Sequence, residues 1–79
     1  MILIVSDNIG LTIARYRKEA KLSRCRLSGT MRGQSCKVVP RHLLKLNLTG
    51  TEVEDIIWDG FEPTSDEKEQ ANVRRRSAT

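Results

Sequence analysis

The chain has 79 residues with one Trp, one Tyr and one Phe. That allows a single small domain with a thin core and excludes a large enzyme built around an internal cavity. Net charge is +4, and with no run of about 18 apolar residues no membrane span is expected.

Residues 1–6 (MILIVS) are apolar and β-branched and predict a buried strand. The run is too short, and lacks the basic flank, for a secretory leader, so a cytoplasmic protein is expected. Asp7 to Gly10 follow as a turn. Residues 11–17 and 22–27 fit two strands, the second with Arg24 and Arg26 on one face and Cys25 and Leu27 on the other. Residues 7–21 fit a helix equally well: Ile9, Ile13, Tyr16 and Ala20 share one helical face, and Asp7 or Asn8 is placed to cap it. Pattern alone does not separate these two readings.

Residues 28–36 (SGTMRGQSC) read as a loop. Pro40 suits the first turn of a short helix near residues 40–47, with Leu43, Leu44 and Leu46 turned inward. A strand competes there, because Leu44, Leu46 and Leu48 alternate. Residues 51–58 fit either a helix opened by Thr51 and Glu54 or a strand ending at Asp59-Gly60. From residue 62 the chain is polar and reads as a flexible charged tail, 62–79, behind a domain at 1–61.

Charge is segregated along the chain. Residues 15–45 hold ten Lys or Arg against Glu19 alone, and residues 51–69 hold eight acids against Lys68 alone. Arg74, Arg75 and Arg76 then restore positive charge. Such polarity predicts a polyanion on the basic side and a basic protein partner, or self-shielding, at the acidic segment 51–69. Arg15, Arg17, Arg24, Arg26, Arg32, Lys37 and Arg41 are the candidate nucleic-acid contacts, since guanidinium forks and ammonium groups on one face match spaced phosphates. If 9–22 is a helix, Arg17, Lys18 and Lys21 still cluster. Tyr16 and Trp58 offer base-stacking surfaces, although Trp58 beside Ile56 and Ile57 better suits a core.

No catalytic constellation is visible, and an enzyme is not expected. His42 is the only His and no motif ties it to a nucleophile. Cys25 and Cys36 with one His lack the spacing of a zinc site, and the acids lack calcium-loop spacing. Neither a cofactor nor a metal is expected, and the two thiols read as small, partly buried side chains.

Three family resemblances bear on these readings. Arg32-Gly33-Gln34, VVPRHLLKLNL at 38–48 and GTEVEDIIWDG at 50–60 resemble the swapped-hairpin AbrB-like and MazE-like DNA-binding proteins, many of them antitoxins. That resemblance covers roughly 22–61. It implies a homodimer whose basic strands and turns, around Arg24, Arg26, Arg32 and Arg41, meet DNA while the acidic tail neutralises a basic toxin. IGLTIARYRKEAKLS at 9–23 is similar to the first helix of phage-repressor-type helix-turn-helix proteins. RLSGTMR at 26–32 and Trp58-Asp59 after Gly50 look like the OB-fold group of small translation initiation factors, which implies an RNA-binding barrel.

The expectation is therefore a small α+β domain with a strand-rich basic core and one short helix near 40–47. An OB-type β-barrel and an all-α helix-turn-helix protein are the alternatives. The expected function is nucleic-acid binding, DNA ahead of RNA, as a dimeric transcriptional regulator of antitoxin type. An RNA-binding barrel, or a protein-interaction module using 51–69, would be the other outcomes.

Overall fold

The computed structural model describes residues 1–22, 27–48 and 53–77. They form the α+β domain expected, around a mixed four-stranded sheet. Strand β1 (Ile2–Ser6) is flanked by β3 (Gln34–Pro40) and β4 (Asp55–Asp59), parallel to both, while β2 (Ser28–Met31) pairs antiparallel with β3. The spatial order is β2-β3-β1-β4. A central parallel strand is covered on both faces, which is why β1 reads as an unbroken apolar run and is buried at every position. Among the described residues the sheet is open, with β2 and β4 as its edges. Both alternatives, the closed OB barrel and the all-α protein, are thereby corrected.

Side chains alternate between the two faces. Ile2, Ile4, Cys36 and Val38 pack on one face with Ile9 and Tyr16 of helix α1 (Ile9–Tyr16). Leu3, Val5 and Val39 pack on the other with Leu44 of helix α2 (Leu44–Leu48), Trp58 and Phe61. Trp58 meets Phe61 edge-on at 5.9 Å, so its ring serves the core. Residues 9–16 are thus helix and not strand: the spacing of Ile9, Ile13 and Tyr16 prevails, and the Asn8 side chain accepts the Leu11 N–H at 3.3 Å as a cap. The short helix near 40–47 is present as a 3-10 turn at Arg41–Leu43 running into α2. Residues 55–59 resolve the helix-or-strand ambiguity as strand β4.

Two segments depart from the sequence reading. The loop expected at 28–36 is a hairpin: β2 and β3 meet at a two-residue turn in which Arg32 (φ 53°) and Gly33 (φ 77°) are both left-handed. Two consecutive positive φ values give a tight turn whose twist matches that of the strands. The flexible tail expected at 62–79 carries helix α3 (Ser65–Ser77) instead. Thr64 and Glu67 form a reciprocal capping box, Thr64 N–H donating to Glu67 Oε1 at 2.7 Å and Glu67 N–H to Thr64 Oγ1 at 3.2 Å. Ala71 is buried, so α3 is docked on the domain. The strand expected at 22–27 and the capping residue Thr51 fall on 23–26 and 49–52, outside the described residues.

Candidate functional site

The chain leaves β1 toward α1 on one face and leaves β3 toward α2 on the other. The neighbouring carboxyl ends of β1 and β3 therefore part, which in parallel sheets opens a crevice at the strand ends. Here it is a cleft of about 580 Å³ lined by Ser6, Asp7, Ile9, Pro40, Arg41, His42, Thr64 and Glu67.

From Ser6 in its lining a directed chain of hydrogen bonds runs to β4. Thr12 Oγ1 donates to Asp59 Oδ2 at 2.5 Å. With its only proton so committed, Thr12 must accept from Ser6 Oγ, 2.6 Å away. Ser6 in turn accepts the Asn8 N–H at 3.0 Å. Arg15 Nη1 completes the chain by pairing with Asp59 Oδ1. The Asp59 side chain is only 5% exposed and that of Arg15 54%, so the guanidinium brings a counter-charge to a buried carboxylate from the wet side. Tyr16 packs close by. Burial first, and then the Asp59 carboxylate, push its phenol above the ordinary value.

At the cleft rim Arg41 is held by Glu67 through Nε–Oε2 (2.9 Å) and Nη2–Oε1 (3.0 Å) and lies 4.2 Å from the centre of the Phe61 ring. The Arg41 hydrogen bond is the main reason that the Glu67 carboxyl sits below its usual range. The guanidinium groups of Arg15 and Arg41, both predicted nucleic-acid contacts, are thus engaged with internal carboxylates. Those carboxylates, Asp59 and Glu67, come from the acidic segment.

The other cations gather elsewhere. Arg17, Lys18 and Lys21 are exposed at the far end of α1 and in the turn after it. That turn is pinned to the outer strand, because Thr30 N–H donates to the Ala20 carbonyl at 3.1 Å. Gly29 permits the approach: a Cβ there would lie 2.1 Å from the same oxygen. Arg32 stands exposed at the tip of the β2–β3 turn, and exposed Lys37 lies opposite Ser28 in the same hairpin. Arg17, Lys18, Lys21 and Arg32 therefore share the β2 corner of the sheet, with Glu19 the one acid in the turn. Arg24 and Arg26 lie outside the described residues. Sequence reasoning placed Arg17 and Arg32 in the basic set. It missed the polar chain from Asn8 to Asp59, in which the bonded pair Thr12 and Asp59 lie 47 positions apart and leave no local signal.

His42 is exposed at the cleft. Cys36 of β3 is buried on the α1 face, and burial raises its thiol above the ordinary value. Among the described residues no three His, Cys, Asp or Glu side chains are placed to hold a metal ion. Among the same residues no helix is long and apolar enough to cross a membrane. Comparison with protein-family models, curated proteins and solved structures finds no match to this chain.

Proposed function

We propose that this protein binds nucleic acid through the basic corner at β2, as a DNA-binding regulator. One observation carries the reading: Arg17, Lys18, Lys21 and Arg32, separate in sequence, are gathered on one corner by the Ala20–Thr30 contact and the hairpin turn. Among the described residues, Glu54 and Asp55 at that end of the sheet belong to the opposite edge. Three strand spacings of about 4.8 Å put them about 14 Å away. That exceeds the Debye length of about 8 Å at physiological salt, so the basic corner keeps its own field.

The test is binding of a short labelled duplex and of a single-stranded RNA, followed by anisotropy across salt. Four phosphate contacts predict a slope of log affinity against log salt of about −3 to −4 on DNA. Arg17→Glu combined with Lys18→Glu and Arg32→Glu is expected to lower affinity at least tenfold and flatten the slope. Tighter binding of the RNA, lost in the same variant, would move the reading from DNA to RNA. Unchanged affinity in the folded variant would overturn the basic corner as the contact surface.

A further inference from the structure

We propose that two copies of this chain join through their β4 edges into one continuous eight-stranded sheet. The directions of the backbone groups make β4 self-complementary. In the β2–β3 hairpin Met31 pairs with Gln34 across a two-residue turn, and Val38 N–H donates to the Leu27 carbonyl. The even-numbered residues of β3 therefore point their backbone groups at β2, and the odd-numbered ones point at β1. The parallel register, Ile4 with Val38 and Ile4 with Ile57, carries the alternation across the sheet. Even residues of β1 face β3, odd residues face β4, and Asp55, Ile57 and Asp59 face back to β1. Ile56 and Trp58 are left with N–H and C=O directed outward. The structure agrees: the Ile56 N–H has turned to its neighbour's side chain, Asp55 Oδ1, at 2.9 Å.

A two-fold axis through Ile57, perpendicular to the sheet, sets Ile56 of each copy opposite Trp58 of the other. These are the residues whose backbone groups face outward, so each pair can exchange two N–H···O bonds, four in all. Ile57 meets its own counterpart at the axis. On one face half-buried Ile56 lies beside the second copy's half-buried Trp58, an aliphatic–aromatic cross-strand pair.

Like charges meet at this seam, and Arg15 is the cation that can offset them. The same register puts Asp55 of one copy opposite Asp59 of the other, on the α1 face. Asp59 already holds Arg15, whose side chain is 54% exposed. Once the Ile56 N–H moves from Asp55 to the second copy's Trp58 carbonyl, the exposed Asp55 carboxylate is free to take that Arg15 from its outer side. An unpaired, partly apolar edge strand is an invitation to pair with another chain. This one is built to pair with itself, and the contact is isologous and closed.

The experiment needs no nucleic acid, so its failure is distinct from failure of the DNA reading. Light scattering across concentration is expected to show twice the 9.0 kDa chain mass. Hydrogen exchange by NMR is expected to show the Ile56 and Trp58 amides slowing as concentration rises. Ile56→Pro removes an outward N–H that β1 does not use, and is expected to shift the chain to monomer with its fold intact. A one-chain mass at millimolar protein would overturn the proposal. So would a dimer in which those two amides exchange at a concentration-independent rate.

Discussion

Arg41 and Glu67 join the end of β3 to the first turn of α3 through two parallel hydrogen bonds of 2.9 and 3.0 Å. Glu67 also accepts the Thr64 N–H, so a single carboxylate both caps α3 and docks it. The carboxyl is held below its ordinary value chiefly by Arg41. An unfolded Glu titrates near 4.3. The stabilisation is therefore complete above that pH and is lost as pH falls through the depressed folded value. Melting temperature is expected to drop on acidification below about pH 4. Glu67→Gln should melt lower at pH 7 and lose less on further acidification. An equally steep acid dependence in both proteins would assign it to other carboxylates.

The hydroxyl of Thr12 is the middle link between Ser6 and Asp59, and the residue is buried. Thr12→Val keeps the shape but strands two buried polar groups, at a cost of about 2–3 kcal/mol. Thr12→Ser keeps the hydroxyl and loses one methyl, about 1 kcal/mol. Urea denaturation of the two variants should separate them in that order. Equal losses would mean that the methyl, and not the hydrogen-bond chain, holds the site.

The parts of this fold legible in the sequence are those with a local period. β1 announces itself by five consecutive buried residues, whereas α1 was legible only as one of two readings, its helical spacing of Ile9, Ile13 and Tyr16 competing with a strand at 11–17. The hairpin was hidden because its turn is Arg32-Gly33, without the Asn-Gly or Asp-Gly pair that marks such turns. α3 was hidden by composition. Its sequence is polar, and its start is signalled only by Thr64 and Glu67 at capping-box spacing. The same spacing at Thr51 and Glu54 precedes a strand, so three-residue spacing alone does not decide. The basic set was legible as composition. Which of its members are engaged inside the domain was not, because the partners of Arg15 and Arg41 come from 44 and 26 residues away.

Tyr16 is the only tyrosine in the chain, so its titration can be read directly from ultraviolet absorbance. Burial, and after it the Asp59 carboxylate, raise the phenol. A folded-state value above the unfolded one means stability that is present below about pH 10 and lost as pH rises through the folded value. The phenol should titrate above a free tyrosine in the native protein and return to the ordinary value in denaturant. Asp59→Asn should lower the native value. A native midpoint equal to the denatured one would place the Tyr16 hydroxyl in solvent.

Two glycines should respond oppositely to alanine. At Gly29 the added Cβ would meet the Ala20 carbonyl oxygen at 2.1 Å, so β2 or the 17–21 turn must shift. A loss of about 2 kcal/mol is expected. At Gly10 the nearest atom is Asn8 Oδ1 at 3.6 Å, an ordinary contact. Removing helix-interior glycine entropy there should gain about 0.5 kcal/mol. Thermal unfolding of both variants tests the pair, and a stable Gly29→Ala protein would break the inferred link between the basic turn and β2.

Arg32 joins folding to the proposed function. Its φ of 53° places a side chain with a Cβ in the left-handed region, where most L-residues are strained by about 1–2 kcal/mol. Asn tolerates that conformation, and Asn-Gly is the favoured pair for such a turn. Arg32→Asn is therefore expected to stabilise the domain by about 0.5–1 kcal/mol while removing one exposed cation from the β2 corner. Nucleic-acid affinity should fall, and its salt slope should shrink by about one. Stability and affinity moving in opposite directions would mark Arg32 as a residue kept at the turn for its charge. A more stable variant with undiminished affinity would show that the charge at this turn does not contact the ligand.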